Sequence, residues 1–209
     1  MLIIDLQYLP CINWFKNSIK YKYIEIEQCE RWQKMSFRNR CTISGANGLI
    51  DLTVPIKGGR NSDEMFKDVK IDNLQKWQDN HWKNIVSAYN RSPWFEFYKD
   101  ELEALFKIKF GFLWDWNIAL LEWVIRKMKL DLKPGFTKTY QKNYPDQGIK
   151  DLRNIILPRT LQAFSQQCPR YNQVFENRFG FIPNLSIIDL LFCEGNNAAS
   201  LLLEQHDVL

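Results

Sequence analysis

The sequence predicts an α/β fold in a single domain, with a small Rossmann-like βαβ unit and a β-hairpin in the N-terminal part and helices in the C-terminal part. Three observations predict it. Segments in the first third of the chain alternate apolar and polar residues with the strand period, whereas after residue 73 the apolar residues recur with the helical period. A crossover-length segment separates the first two strands, and an Asn-Gly pair lies between the next two.

The βαβ unit is predicted over residues 2–28. Leu2–Leu6 is typical of a short buried strand, and Tyr23–Glu27 alternates at the strand period. Pro10 turns the chain between them, and the apolar residues from Ile12 to Ile19 have roughly helical spacing. A crossover of about a dozen residues is what two parallel strands require.

The hairpin is predicted from two runs, Cys41–Ser44 and Leu49–Val54, which flank the sequence Gly45–Gly48. An Asn-Gly pair between two such runs is a strong signal for a tight turn. Pro55 cannot donate a ladder hydrogen bond, so it indicates an edge or the end of the second strand.

Helices are predicted from residue 73 onward. The first has an apolar stripe made of Trp82, Ile85, Val86 and Tyr89. Ser92-Pro93 is typical of the start of the next helix, and residues 113–130 predict a third, strongly apolar one.

The last third of the chain predicts less regular structure. Residues 137–148 indicate a long surface loop. Ser186–Asp189 has the spacing of a capping box at the start of a helix, and residues 197–205 predict a final short helix.

Length and composition favour one domain over residues 1–209, strand-rich over 1–56 and helix-rich over 73–209. The sequence contains no internal repeat and no low-complexity tract. A chain of this size buries roughly 70% of the surface that its unfolded form exposes, so its stability requires neither disulfides nor a structural metal.

Charge and cysteine usage narrow the class of protein. The net charge of +4 comes from cations spread along the chain, which argues against a nucleic-acid partner but allows an anionic small molecule. Five cysteines form an odd set without CxxC spacing, and the sequence lacks both a signal peptide and an apolar run of about 20 residues. We therefore predict a cytoplasmic protein with no membrane span.

Several catalytic signatures are missing. The sequence has no P-loop, no GxGxxG after the first strand and no GxSxG elbow. Its two histidines, His81 and His206, and its cysteines lack the spacing of a zinc site, so we expect no metal. The sequence does not identify a cofactor.

The first candidate site follows the first strand. Ligands of open α/β sheets bind outside the carboxyl ends of the strands, where Gln7 could bond an amide or hydroxyl and Tyr8 could stack on a ring. The alternative is an ordinary strand-to-helix turn in which Pro10 sets the backbone angle.

The second candidate is the basic loop of residues 29–40. It places Lys34, Arg38 and Arg40 within seven residues, with Asn39 between the two arginines and with Trp32 and Phe37 interleaved. Lysine and arginine suit phosphate or carboxylate ligands. The alternative is a solvated loop without a ligand.

The third candidate is a pair of aromatic residues on the first long helix. Trp77 and His81 are four residues apart and share one helical face. His81 is the leading acid–base candidate because an unperturbed imidazole titrates near pH 6.5. The alternative is a structural histidine packed beside a tryptophan.

Taken together, these segments resemble the WbqC-like protein family. The matching segments are Gln7–Pro10, Lys34 with Ser36–Arg40, Leu52–Pro55, Lys76–Trp82, Ser87–Tyr89, Ser92-Pro93 and Phe181–Leu191. Asn13 departs from the family pattern, where a glycine is expected. The resemblance implies a bacterial protein associated with surface-polysaccharide (O-antigen) biosynthesis, for which an amino-acid (glycine) transferase role has been suggested.

The leading hypothesis is a transferase that acts on an activated sugar or glycan precursor. Lys34, Asn39 and Arg40 would bind an anionic group such as that of a nucleotide, nucleotide sugar or acyl donor. Gln7, Tyr8 and Trp77 would complete the substrate site, and His81 would be the general base. One alternative is a non-catalytic binding or assembly protein, with the many aromatic residues serving a homodimer interface. Another is a nucleotidyltransferase-like enzyme, ranked lower because the first loop lacks paired histidines.

Overall fold

The predicted N-terminal βαβ unit is present in the structure. The structure is a computed structural model that describes residues 1–21, 23–59, 63–144 and 148–203. Strand β1 covers Leu2–Asp5, helix α1 Ile12–Ser18 and strand β2 Ile24–Glu27. The strands pair in parallel, from Leu2 opposite Ile24 to Asp5 opposite Glu27. All four residues of β1 are buried, as expected for the centre of a parallel sheet.

Two short strands complete this sheet. Strand β5 (Gly135–Phe136) lies beside β2, and strand β6 (Lys150–Asp151) lies beside β1, so that the all-parallel order is β5-β2-β1-β6. The sequence predicted neither, because two residues are too few to show a periodicity. The prediction of a surface loop from residue 137 is wrong at its start, since Thr137 is buried. Residues 145–147 of that loop lie outside the described residues.

The predicted hairpin is also present. Strand β3 covers Arg40–Gly45 and strand β4 Gly48–Thr53, paired antiparallel. The turn is tighter than the sequence suggested, because only Ala46 and Asn47 lie between the strands. Gly48 has a φ of 112°, a backbone angle that a side chain would disfavour.

Most of the remaining structure is helical. Helices α2, α3 and α4 cover Trp77–Tyr89, Phe95–Lys107 and Leu113–Lys127. Helices α5, α6 and α7 cover Glu176–Phe179, Ile187–Glu194 and Ala198–Leu203, and 3-10 turns cover Phe66–Asp68, Leu161–Gln167 and Gly195–Asn197. The final helix was predicted to reach residue 205, which lies outside the described residues, as does His206.

Two predicted helix starts differ in detail. Helix α3 begins after Trp94 rather than at Ser92-Pro93, because the Ser92 hydroxyl donates back to the carbonyl of Tyr89. Helix α6 begins after Ser186 as predicted, but no capping box forms. The Ser186 hydroxyl donates to Leu9, and the buried Asp189 carboxylate is occupied by tyrosine hydroxyls.

One continuous cluster of buried apolar residues extends from Leu2 to Leu202 and connects the sheet, the hairpin and the helices. Such continuity is what a single domain would show, although the number of domains stays a prediction. None of the helices formed by the described residues is both long and apolar enough to cross a bilayer.

Candidate functional site

The carboxyl edge of the parallel sheet carries acidic side chains. Asp5, Glu27 and Asp151 are the last residues of β1, β2 and β6. Parallel strands end at the same edge of a sheet, and in open α/β folds this edge is where ligands bind. The structure therefore gathers carboxylates from distant parts of the chain at one place.

Arg153 binds two of these carboxylates. Its Nε and Nη2 donate to the two oxygens of Asp151 at 3.0 and 2.7 Å, and its Nη1 donates to Glu27 Oε2 at 2.8 Å. The other oxygen of Glu27 accepts from the Thr137 hydroxyl at 2.6 Å. These bonds connect the ends of β2, β5 and β6, which indicates a structural role.

Arg38 binds a further carboxylate from the basic loop. Its Nε and Nη2 donate to the two oxygens of Glu30 at 2.9 and 2.6 Å, and Nη2 also donates to Asn154 Oδ1 at 2.9 Å. Its Nη1 lies 3.9 Å from Asp5 Oδ2 and has no hydrogen-bond partner among the described residues. We call the six charged residues here the sheet-edge cluster: Asp5, Glu27, Glu30, Arg38, Asp151 and Arg153.

The sheet-edge cluster contains more acidic than basic groups, and it is mostly buried. Burial raises the pKa of Glu30 to about 7, because the loss of hydration outweighs the attraction of Arg38. Glu30 can therefore exchange a proton near neutral pH, although only 4% of its surface is exposed.

A pocket of about 400 Å³ lies beside the basic loop and brings three of the predicted ligand residues together. Lys34, Asn39 and Arg40 line it with the end of β4 and the segment that follows. We call it the basic pocket; its described lining is Trp32, Lys34, Met35, Asn39, Arg40, Thr53, Val54, Pro55, Ile56 and Gly59. These residues include two cations and no carboxylate, imidazole or thiol.

Two N–H donors at the basic pocket are buried without a hydrogen-bond partner in the described part of the chain. They are Nε1 of Trp32 and Nε of Arg40. Since buried donors are normally satisfied, each of these two is expected to have a partner outside the described residues. Asn39 is held in place by its amide, which donates to the carbonyl of Val54 at 3.0 Å.

Phe66 packs between Trp32, a lining residue of the basic pocket, and Arg38 of the sheet-edge cluster. Its ring centroid lies 6.1 Å from that of Trp32, which lines the pocket. The guanidinium of Arg38 lies 5.7 Å from the same centroid. Phe66 therefore connects the Glu30–Arg38 pair to Trp32 of the pocket.

The other predicted site residues lie in the core and not in the lining of the basic pocket. Gln7 is fully buried, and its amide donates to Asp5 Oδ2 and to the carbonyl of Ile156 at 3.1 and 3.0 Å. Tyr8 is fully buried as well, with its hydroxyl 2.9 Å from Nδ1 of His81. Trp77 packs edge-on against His81 at 5.2 Å between ring centroids.

His81 is nearly buried, with 6% of its surface exposed. Burial lowers the pKa of its imidazole to about 4, partly opposed by a hydrogen bond to the backbone of Thr53. The ring is therefore neutral at pH 7, as a general base must be, but its basicity is low. Thr53 also lines the basic pocket, so His81 contacts a lining residue without lining the pocket itself.

Thr53 and the carboxylates of the sheet-edge cluster had no predicted site role. Arg38 was predicted among the ligand-binding cations of the basic loop, but it is fully buried and paired with Glu30. Asp5 and Glu27 could have been recognised, because each is an acidic residue at the end of an apolar strand. Asp151 and Arg153 could not, since β6 has no sequence signal. The described residues contain no group of histidine, cysteine and acidic side chains arranged to hold a metal ion.

Comparison with known proteins identifies the family. The comparisons with curated proteins and with solved structures gave no match. The family model for the WbqC-like protein family matches residues 7–163, which is 157 of the 209 residues and includes the basic pocket. The chain therefore belongs to the WbqC-like protein family.

Proposed function

We propose that this protein is a transferase acting on an activated sugar or glycan precursor in the biosynthesis of a bacterial surface polysaccharide such as O-antigen. Family membership supports the biological setting. The observation that indicates an anionic ligand is the basic pocket. Lys34 and Arg40 line this cavity, and its described lining contains no carboxylate.

A phosphate-bearing ligand fits the chemistry of the basic pocket. Arginine offers a planar fork of donors to phosphate, and lysine adds a mobile positive charge. The Nε of Arg40 and the Nε1 of Trp32 have no partner among the described residues, and a ligand is one group that could accept from them. A volume of about 400 Å³ is within the range of small-molecule sites, which is roughly 300–1,000 Å³.

In the proposed transfer, Lys34 and Arg40 bind the phosphate of the activated substrate and stabilise negative charge on the leaving group. For aminoacyl transfer to a sugar amine, the nitrogen attacks the acyl carbonyl carbon. The new C–N bond forms, the bond to the leaving group breaks, and the amine proton passes to a base. The general-base role of His81 stays a prediction; loss of turnover with retained binding in His81→Gln would support it.

A non-catalytic binding protein is the second candidate. One observation favours it: among the described lining residues, none has a carboxylate, imidazole or thiol that could act as an acid, base or nucleophile. This candidate predicts the same ligand binding without turnover.

The test is calorimetric titration of the protein with nucleotide sugars, repeated with the Arg40→Gln variant. Loss of a charge-assisted contact of about 1.5–3 kcal/mol should weaken binding by roughly 10- to 100-fold. Arg126→Gln is the control, because Arg126 is an exposed arginine of α4 that pairs with Glu101 of α3. Equal binding by wild type and Arg40→Gln would refute the assignment of the pocket.

A turnover assay with the ligand that binds then separates the two candidates. Incubation with amine- or hydroxyl-bearing acceptors should yield a transferred product under the transferase proposal. Binding without product, across acceptor classes, would favour the non-catalytic candidate.

A further inference from the structure

A second surface combines exposed apolar side chains with cations. It surrounds a cavity of about 300 Å³ between the segment after the hairpin, the segment before α2 and the loop before α4. Its described lining includes Lys57, Lys70, Leu74 and Phe112 and no acidic residue. We call these four residues the lysine–leucine face.

The lysine–leucine face is built from three paired segments. Ile56 forms an antiparallel bridge with Ile71, and Lys70 forms another with Phe112. The N–H of Lys57 donates to the carbonyl of Lys70 at 2.9 Å. Side chains alternate along extended backbone, so the two lysines and Phe112 lie on one side and Ile71 on the other.

The burial of these residues agrees with that alternation. Ile71 is 2% exposed, whereas Lys57 and Lys70 are exposed and Phe112 is 37% exposed. Leu74 is 93% exposed, which is the highest value among the exposed large apolar residues described. Asp72, the acidic residue within this segment, uses its carboxylate to accept from the Leu74 N–H at 3.2 Å.

We propose that the lysine–leucine face docks the protein on the surface of an anionic phospholipid bilayer. Leu74 and Phe112 enter the boundary between headgroups and acyl chains, and Lys57 and Lys70 bind lipid phosphates. Peripheral proteins bind membranes through this combination of apolar burial and attraction to anionic lipid. Charge complementarity favours this partner, since the described lining carries two lysines and no carboxylate, and Asp72 beside Leu74 offsets only one of the two positive charges.

The test is co-sedimentation of the purified protein with phosphatidylcholine vesicles and with vesicles that also contain phosphatidylglycerol. Binding should require phosphatidylglycerol and weaken at high salt. In the Lys57→Gln/Lys70→Gln variant, the loss of each lysine should lower the partition coefficient onto anionic vesicles roughly fivefold. Leu74→Ser should lower it roughly tenfold.

Matched controls separate this face from general surface effects. Lys129→Gln/Lys133→Gln removes two exposed lysines that follow α4, and Phe97→Ser removes an apolar side chain that is 71% exposed on α3. Both controls should bind anionic vesicles as the wild type does. Thermal melts of all variants establish that each one is folded.

Three results would overturn the proposal. They are absence of binding to anionic vesicles, equal binding to vesicles of phosphatidylcholine alone, and controls that weaken binding as much as the variants of the face. Wild-type dimers that Leu74→Ser converts to monomers, without vesicle binding, would assign the face to a protein interface instead. Nucleotide-sugar binding at the basic pocket is measured separately, so its outcome does not depend on this one.

Discussion

Replacing Arg38 with methionine tests how the sheet-edge cluster stabilises the fold. The Arg38 side chain is fully buried and makes three hydrogen bonds, two to Glu30 and one to Asn154. Methionine keeps a similar apolar length and removes the guanidinium. The Glu30 carboxylate then remains in a site where its side chain is 5% exposed, without its two donors.

The expected loss follows from the uncompensated charge. Removing one partner of a buried ion pair costs about 3–5 kcal/mol, and Asp5 also loses a cation at 3.9 Å. Glu30 can escape part of the cost by taking up a proton, because burial already raises its pKa to about 7. We therefore expect a loss near 3 kcal/mol above about pH 7, which becomes smaller as pH falls below 7 and Glu30 takes up a proton.

The assay is urea unfolding followed by tryptophan fluorescence, since the chain contains eight tryptophans. The double variant Arg38→Met/Glu30→Met removes both charges and should recover most of the lost stability, because no buried charge is left alone. A loss below about 1 kcal/mol in the single variant would refute this reasoning. So would a double variant that is no more stable than the single one.

Three further predictions concern other buried residues. Burial lowers the pKa of His81 from 6.5 to about 4. The free energy of unfolding of the wild type should therefore decrease by on the order of 3 kcal/mol as pH falls from 6.5 to 4. Urea unfolding at a series of pH values should show no such decrease in His81→Gln. Burial raises the pKa of Asp189 from 3.8 to about 6, so its contribution stabilises the fold below about pH 4 and is lost as pH rises through 6. In Asp189→Asn, this pH dependence of the free energy of unfolding should disappear from the same measurements. If it persists, another group causes it. Gly195 has a φ of 54°, and an added Cβ would lie 2.1 Å from the Trp94 indole. The free energy of unfolding of Gly195→Ala should therefore be lower by about 2 kcal/mol or more. A thermal melt should show this as a lower melting temperature.

The sequence predicted the elements that have a visible period. Strand β1 is a short apolar run, strand β2 and the hairpin alternate over four to six residues, and α2 places its buried residues at helical spacing. The two-residue strands β5 and β6 have no such signal, because their position depends on pairing with β2 and β1. Local pattern therefore predicted the centre of the sheet but not its edges.

The candidate site shows the same limit. Lys34, Asn39 and Arg40 line one pocket, as their clustering in the sequence suggested, whereas Arg38 of the same run is buried against Glu30. Tyr8 and His81 satisfy each other in the core through a 2.9 Å contact between residues 73 positions apart. A sequence alone does not show whether such polar aromatics bind a ligand or one another, since the partner comes from a distant segment.

The order β5-β2-β1-β6 has a consequence for how the chain folds during synthesis. The βαβ unit emerges first, and both of its outer strand edges stay bare until residues 135–136 and 150–151 are made. At about 5–20 residues per second, the interval between residues 27 and 151 lasts roughly 6 to 25 s. Strand edges without a neighbouring strand can pair with other chains. The nascent protein therefore exposes aggregation-prone strand edges during most of its translation. Slower initiation lowers the concentration of such nascent chains and should therefore raise the yield of folded protein.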